Sequence, residues 1–279
     1  MTSVARYTLD VDGLGTPCLV AGAGTEAVVF VHGNPGAGED WRALVEQAGE
    51  FMLAVAPDMP GFGRAAKPAD FDYTVEGYAR HLDALLQAMG IQRVHLVLHD
   101  FGGPWGLAWA AAHPAQVGSV TLINTGVLRG YRWHFLARIW RTPLLGELFQ
   151  AITTRAGFRL LLKWGNPRGL PPAFADRMFD DFDAGTRRAV LRLYRATSDI
   201  DGYAAQATAA LRPHSLPALV IWGEADPYLP SRFAVQQRET FPDAEVVRLP
   251  DSGHFPFADH PQAVAAALLP FLRRQQSPK

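Results

Sequence analysis

Three side chains able to carry acid, base or nucleophilic chemistry stand near the ends of predicted strands. They are Asp100, Asp226 and His254, and each follows a run of apolar residues within a few positions. A short apolar run bounded by turn residues indicates a buried strand. In a parallel sheet the carboxyl ends of the strands lie along one edge, so distant loops can meet in a single cleft. The spacing therefore predicts that these three side chains share one site.

Asp100 is the residue that decides the chemistry. It lies in the sequence LVLHDFGGP (residues 96–104), where a strand stops abruptly at glycines. A sharp turn from strand to helix presents its central side chain to a cleft, and small neighbours let the chain double back. A carboxylate held there can displace a leaving group from a saturated carbon and form an alkyl ester, which water must then hydrolyse. The alternative is structural, because Asp is also a favoured N-cap and Asp100 precedes a predicted helix.

The elements that would position these residues alternate between strand and helix along most of the chain. Residues 27–31 are apolar at every position, which is typical of a strand in a parallel sheet. The alternation implies right-handed crossovers and an α/β fold, a mostly parallel twisted sheet flanked by helices. The predicted strands are residues 6–11, 16–21, 27–31, 52–56, 96–99, 117–124, 218–222 and 244–249, and the clearest predicted helices are 73–89 and 261–272.

The alternation stops between residues 127 and 212. This segment is aromatic and arginine-rich, and prolines interrupt its helical periodicity. Trp133, Leu136 and Trp140 fall at helical spacing, so they would face either the main domain or a pocket beneath the insertion. We therefore predict a core domain of residues 1–126 and 213–279, with a helical cap of residues 127–212 inserted into it.

The composition argues against several classes of protein. A formal net charge of -1 gives no basic field for a nucleic acid and no polybasic patch for a membrane. The single cysteine, Cys18, excludes an internal disulfide, and no phosphate loop, dinucleotide fingerprint or zinc-ligand spacing predicts a cofactor or a metal. The sequence shows no secretory signal and no apolar run of membrane-spanning length, so we expect a cytoplasmic protein. We expect it to be a monomer or a homodimer. Its expected partners are a small apolar organic substrate and water.

Four motifs stand in an order that resembles a known superfamily. They are HGNP at residues 32–35, the turn at Asp100, WGEADP at 222–227 and DSGHF at 251–255. Their chain order is nucleophile, acid and histidine. Over residues 27–270 the chain resembles the α/β-hydrolase superfamily with a helical cap. The aspartate at the turn makes it most similar to the haloalkane dehalogenases and epoxide hydrolases, which use an aspartate nucleophile.

The resemblance implies a role for each of the three reactive residues. Asp100 would attack carbon in line with the leaving group, and the neutral imidazole of His254 would take a proton from the water that attacks the ester. Asp226 would orient the imidazole and stabilise its charged form. Glu224 is close in sequence, but the family's acid matches Asp226. Taken singly, His254 could be a surface-loop histidine and Asp226 a turn residue before a proline.

The resemblance also implies a site for the leaving group. The HGNP loop resembles the family's oxyanion loop, so the backbone N–H groups of Asn34 and Phe101 would point at a carboxylate oxygen of Asp100. The Asn34 side chain would donate to a departing halide, as in many haloalkane dehalogenases. These enzymes typically carry a tryptophan after the nucleophile, and its indole N–H binds the halide. Phe101 stands at that position, and its side chain has no hydrogen-bond donor.

Cap residues are candidates to supply the missing donor. An indole N–H in the cap could bind a halide, and the candidates are Trp133, Trp140 and Trp164. Epoxide opening needs an acid that protonates the alkoxide, and epoxide hydrolases use cap tyrosines for this. The helix around Tyr194 resembles their tyrosine-containing helix, with Tyr131 or Tyr203 as a second donor. Taken singly, each of these aromatics favours the structural interpretation, in which it packs the cap onto the core.

The leading hypothesis is a cofactor-independent hydrolase that forms an alkyl ester at Asp100 and cleaves a carbon–halogen bond in the manner of a haloalkane dehalogenase. The side chain of Asn34 favours this choice. The first alternative is an epoxide hydrolase with a cap tyrosine as its acid. The second is a non-catalytic or ligand-binding protein on the hydrolase fold, since a fold does not guarantee a function. A serine esterase is disfavoured because the residue at the turn is not a serine.

Overall fold

A computed structural model describes residues 3–276 of the chain. The described residues contain one sheet of eight strands. In chain order the strands are β1 (Ala5–Val11), β2 (Leu14–Ala21), β3 (Glu26–Val31), β4 (Leu53–Pro57), β5 (Arg93–His99), β6 (Val117–Ile123), β7 (Ala218–Gly223) and β8 (Glu245–Leu249). All eight predicted strands are confirmed, with boundaries that differ by three residues or fewer.

The sheet has the strand order β1-β2-β4-β3-β5-β6-β7-β8. The first two strands pair antiparallel, β2 also pairs antiparallel with β4, and every other pair is parallel. Every residue of β4, β6 and β7 is buried, which explains why the sequences of β4 and β7 are apolar on both faces. Because β5, β6 and β7 are parallel neighbours, their carboxyl ends meet at one edge of the sheet.

Twelve α-helices accompany the sheet in the described part of the chain. Those that alternate with its strands are α1 (Arg42–Ala48), α2 (Val75–Ala88), α3 (Gly102–Ala112), α10 (Arg232–Gln236), α11 (Pro256–Asp259) and α12 (Pro261–Gln275). The other six lie between β6 and β7, where the described residues form no strand, and we call them the cap. They are α4 (Phe135–Arg141), α5 (Leu145–Ile152), α6 (Arg155–Gly165), α7 (Pro172–Asp181), α8 (Ala184–Ala196) and α9 (Ile200–Leu211).

Helix boundaries follow local capping chemistry. Thr74 ends the loop before α2, and its hydroxyl accepts the Gly77 backbone N–H at 3.1 Å. The apolar face of α2 is buried, as the helical spacing predicted. One expectation is wrong, because Trp133 does not share a helix with Trp140. His134 is the N-cap residue of α4, because its side chain accepts the Ala137 N–H. The helix therefore begins at Phe135, and Trp133 lies in the preceding loop.

Among residues 3–276, no helix has the length and apolar character that crossing a bilayer requires.

Candidate active site

The turn after β5 holds Asp100 in a strained backbone conformation. Its φ is +48°, a left-handed value that is uncommon for a residue with a side chain. Helix α3 has its N-cap at Phe101, and no side chain caps it, so Asp100 is not the helix cap that its sequence position allowed. The Thr125 hydroxyl donates to the Asp100 backbone carbonyl at 2.6 Å. The turn therefore aims the carboxylate away from the helix and into the space above the sheet edge.

Backbone donors from the loop after β3 and from the turn after β5 hold this carboxylate. The Asn34 backbone N–H donates to Asp100 Oδ1 at 2.6 Å, and the Phe101 backbone N–H also donates to the carboxylate. A Cβ at Gly33 would stand 2.3 Å from that oxygen, so only glycine allows this approach. Two backbone N–H groups that donate to a carboxylate at such a turn make an arrangement that can stabilise an oxyanion. His32 braces the loop, because its ring accepts the Met59 N–H at 2.9 Å.

His254 lies between the two aspartates. Its Nδ1 is 2.8 Å from Asp226 Oδ2, and its Nε2 is 3.6 Å from Asp100 Oδ2. With Nδ1–H donated to Asp226, a neutral ring turns the lone pair of Nε2 toward Asp100. The structure thus brings together the three residues that the sequence placed at separate strand ends. Glu224 pairs with Arg248 and does not contact the histidine.

Asp226 is itself fixed by donors from two directions. Its Oδ1 accepts the Tyr228 and Leu229 backbone N–H groups at 2.7 and 3.1 Å. Its Oδ2 accepts the Asn124 amide at 2.8 Å, and Asn124 in turn accepts the Gly223 N–H at 2.7 Å. Asn124 follows β6 with a φ of +43° and is fully buried. This amide ties the ends of β6 and β7 together and holds the carboxylate for His254.

Burial and neighbouring charges shift the pKa values of Asp100 and His254. Burial raises the pKa of Asp100, while the charge of His254 and the two backbone N–H donors oppose that rise. Burial acts to lower the pKa of His254, but the charge and hydrogen bond of Asp226 and the charge of Asp100 outweigh it. The pKa of His254 is therefore raised above its usual value of 6.5. The imidazolium is stabilised as long as both carboxylates are ionised.

Neutralising Asp100 should therefore lower the pKa of His254. The Asp100→Asn variant removes one of the two negative charges that favour the imidazolium, so the neutral ring should predominate at lower pH than in the parent protein. The measurement is an NMR titration of the His254 ring. Esterification of Asp100 removes the same negative charge. The pKa of His254 should therefore fall once an ester is present, which favours the neutral ring that can act as a base. An unchanged or higher pKa in the variant would contradict this reading.

A cavity of about 490 Å³ opens above Asp100, between the sheet edge and the cap. Its walls are mostly apolar, as expected of a pocket for a small organic molecule. Asn34, Asp100 and His254 reach its surface from the sheet side, and aromatic side chains line it from the cap side. The predicted candidates that line it are Phe101, Tyr131, Trp133, Trp140, Tyr194 and Tyr203, whereas Trp164 does not.

Tyr194 has the best position among the candidate donors. It is 2% exposed, and its hydroxyl accepts the Asn34 side-chain N–H at 3.4 Å. No acceptor for its own O–H is present among residues 3–276, so that proton is available to a group in the cavity. Burial, followed by the charge of Asp100, raises the pKa of Tyr194 well above its usual value. The phenol is therefore a proton-bearing donor at neutral pH, next to the amide of Asn34.

The other candidate donors make different contacts around the cavity. Tyr203 donates its hydroxyl to Glu76 at 3.1 Å and links the cap to α2. Tyr131 accepts the His134 backbone N–H. Trp133 stacks near Phe101 with ring centroids 6.3 Å apart, and Trp140 packs on Tyr194 at 4.9 Å. The indole N–H of Trp140 is buried without a partner in the described part of the chain.

The structure adds residues that sequence reasoning did not select. Tyr228 packs edge-on against His254 with ring centroids 5.1 Å apart, and His134 packs against Tyr228. His99 Nε2 donates to the His254 backbone carbonyl at 2.8 Å. Tyr228 stands two residues after Asp226, so the acid motif could have indicated it. The position of His99 directly before Asp100 gave no sign of a contact with a residue 155 positions away.

Comparison with known proteins agrees with this architecture. The family model described as alpha/beta hydrolase fold matches residues 26–261. A cis-3-alkyl-4-alkyloxetan-2-one decarboxylase of Xanthomonas campestris is 31% identical over 273 residues, with 89% of each chain covered. A haloalkane dehalogenase of Mesorhizobium japonicum is 28% identical over 271 residues, covering 90% of this chain and 86% of that protein.

A solved structure gives the same picture in three dimensions. The haloalkane dehalogenase of Agrobacterium tumefaciens C58 superposes with a TM-score of 0.85 at 25% identity, with 98% of each chain covered. The long match to the family model and the 31% identical relative are both well beyond a shared motif. The chain therefore belongs to the α/β-hydrolase fold family and is a hydrolase with haloalkane dehalogenases among its relatives.

Proposed function

We propose that this protein hydrolyses a small apolar organic substrate through an alkyl ester on Asp100, and that it cleaves a carbon–halogen bond as a haloalkane dehalogenase does. The observation that carries the proposal is the environment of the Asp100 carboxylate. One oxygen is held by the Asn34 backbone N–H at 2.6 Å, and the other lies 3.6 Å from His254 Nε2. A carboxylate so placed, facing an apolar cavity, is suited to nucleophilic attack.

In the first step, Asp100 Oδ2 forms a bond to the substrate carbon while the carbon–halogen bond breaks. The electron pair of that bond leaves with the halide, so no proton is needed. The Asn34 side-chain N–H and the Tyr194 O–H lie 3.4 Å apart by their heavy atoms and together bind the anion. In this mechanism, the Tyr194 hydroxyl supplies the hydrogen-bond donor that the side chain of Phe101 lacks.

In the second step, water attacks the ester carbonyl carbon. His254 Nε2 takes a proton from that water, and Asp226 stabilises the imidazolium that forms. The carbonyl oxygen becomes an oxyanion between the backbone N–H groups of Asn34 and Phe101. The intermediate then collapses, and the alcohol oxygen receives the proton from His254. The second proton of the added water leaves to solvent from the Asp100 carboxyl group, which restores the carboxylate; with the halide released in the first step, the net products are the alcohol and HX.

A second candidate is epoxide hydrolysis, which the free hydroxyl proton of Tyr194 favours. Opening an epoxide by Asp100 creates an alkoxide that must be protonated, and Tyr194 can supply that proton at the position where Asn34 would otherwise hold a halide. The decarboxylase relative is named for an oxetan-2-one, which is a four-membered lactone. Epoxides and such lactones are both strained rings in which an oxygen is the leaving group.

The division into a core of residues 1–126 and 213–279 and a cap of residues 127–212 fits this mechanism, because the cap supplies the Tyr194 donor and the apolar roof. A cytoplasmic location and a monomeric or homodimeric state stay predictions from the sequence.

The oxygen of the first product distinguishes an ester on Asp100 from direct attack by water. In a single turnover in ¹⁸O-water, with enzyme in excess over 1-bromohexane, styrene oxide or a cis-3,4-dialkyl oxetan-2-one, the new hydroxyl should carry ¹⁶O from Asp100. The enzyme peptide that contains Asp100 should gain ¹⁸O. Product labelled with ¹⁸O would contradict the ester.

If none of the three probes is turned over, the proposed function is wrong for these substrate classes. The ligand-binding alternative would then predict thermal stabilisation by a probe that persists in the Asp100→Ala variant. Asp100→Asn serves as the matched control in the labelling experiment, since it retains the shape of the turn without the carboxylate.

A further inference from the structure

The loop that carries His254 is held on the cap side by residues outside the three-residue constellation. The His254 backbone N–H donates to the Gly165 carbonyl at 3.0 Å. The Phe255 backbone N–H donates to Asn166 Oδ1 at 2.8 Å. Gly165 ends α6 of the cap and Asn166 follows it. Two successive backbone donors of the histidine loop therefore depend on the cap.

The side chain of Asn166 is itself fixed in place. It is fully buried, and its own side-chain N–H donates to the Leu162 carbonyl at 2.8 Å. Both ends of its amide are thus engaged, one on α6 and the other on the histidine loop. The backbones approach so closely that a Cβ on Gly253 would lie 2.3 Å from the Gly165 carbonyl oxygen. A buried amide with both hydrogen bonds satisfied fixes the register of the two segments.

The remaining backbone groups of the loop are bound from the core. The Gly253 N–H donates to Asp259 Oδ2 at 2.7 Å, and the His254 carbonyl accepts from His99 at 2.8 Å. The core therefore fixes the loop before the histidine and at its carbonyl. The cap fixes the N–H groups of the histidine itself and of the residue after it.

We propose that Asn166 is a positioning residue for His254, so that the cap helps to set the place of the imidazole for hydrolysis of the ester. The proposal rests on the proposed function above. His254 acts as base only in the second step, whereas formation of the ester needs Asp100 and the leaving-group donors. Loss of the Asn166 contact should therefore slow decay of the ester far more than its formation.

The test compares three variants with the parent protein. Asn166→Leu removes both hydrogen bonds at similar volume, and Asn166→Asp keeps an acceptor for the Phe255 N–H. Lys67→Ala is the matched control, because it breaks another contact between core and cap, the 2.8 Å ion pair with Asp183, away from the histidine loop. Rapid-quench intact mass measures ester formation and decay with 1-bromohexane and with styrene oxide. Hydrogen–deuterium exchange measures protection of residues 253–256 without any substrate.

In Asn166→Leu we expect decay of the ester to slow about 10- to 100-fold, formation to change by about threefold or less, and ester to accumulate. Exchange should rise at residues 253–256 and stay unchanged in the central strands. Asn166→Asp should recover most of the decay rate and of the protection, and Lys67→Ala should match the parent protein in both.

Equal slowing of both steps, or raised exchange with an unchanged decay rate, would overturn the proposal. So would unchanged exchange at residues 253–256 in Asn166→Leu. If the parent protein forms no ester with either probe, the proposed function fails. The local exchange then decides separately whether Asn166 holds the histidine loop, with unchanged exchange again overturning it.

Discussion

Replacing His254 with alanine should stop turnover and leave the substrate's alkyl group attached to Asp100. The first step needs only the carboxylate and the leaving-group donors, so the ester still forms. The second step loses the base whose Nε2 lies 3.6 Å from Asp100 Oδ2, and removal of a positioned general base costs about 10²- to 10⁴-fold in rate. Intact mass should show one added alkyl group, and peptide mapping should place it on Asp100.

The trapped mass also identifies the substrate class, because a haloalkane adds its alkyl group whereas an epoxide adds its whole mass. His214→Ala is a suitable control, since that histidine is exposed in the connection between the cap and β7. Normal turnover in His254→Ala would contradict the assigned role. A variant that loses turnover without any adduct, from a parent protein that has turnover, would point to a histidine needed in the first step.

The centre of the sheet could be predicted because runs such as those of β3 and β7 are almost entirely apolar on both faces, which is typical of strands buried in a parallel sheet. Because β5, β7 and β8 belong to the parallel part of the sheet, the loops that follow them share an edge. That geometry brings Asp100, Asp226 and His254 to the same region, and the hydrogen bonds of their loops set the final distances.

The cap could be predicted only in outline. Its helices are short and amphipathic, and an aromatic residue at helical spacing can face the core, the cavity or solvent. Trp164 shows the limit, because it falls at a plausible spacing yet is 47% exposed and outside the cavity. Trp133 shows another, since the His134 cap starts the helix after it. Propensity and spacing do not determine which face meets the core.

Contacts between the cap and the loops at the sheet edge were beyond sequence reasoning. The hydrogen bond from the Phe255 N–H to Asn166 joins residues 89 positions apart, and an asparagine before a proline is equally typical of an ordinary loop. The bond between Asn34 and Tyr194 spans 160 positions. No local pattern encodes these pairs, because each depends on how the cap docks on the sheet. The resemblance already put Tyr194 first among the tyrosines, but its contact with Asn34 required the structure.

Replacing Tyr194 with phenylalanine should distinguish a halide from an oxygen leaving group. If the substrate is an epoxide, the variant loses the acid that protonates the alkoxide, and ester formation should fall about 10²- to 10⁴-fold. If it is a haloalkane, the variant loses one of two donors to the anion, and the cost should be about tenfold. Single-turnover formation of the adduct in a His254→Ala background measures this step alone.

Asn34→Leu provides the reverse comparison. A halide has no use for a proton and depends on fixed donors, so loss of the Asn34 amide should cost haloalkane cleavage at least as much as loss of the Tyr194 hydroxyl. Epoxide opening should suffer more from Tyr194→Phe than from Asn34→Leu. Tyr203→Phe is the control, because that hydroxyl already donates to Glu76 at 3.1 Å and should matter little to either reaction.

The order of the two effects therefore reports the leaving group even if both activities are weak. Equal, small effects of Tyr194→Phe and Asn34→Leu on both substrates would show that neither residue binds the leaving group. The donor would then have to come from elsewhere in the cavity. The indole N–H of Trp140, buried without a partner in the described residues and packed on Tyr194, would be the next residue to replace.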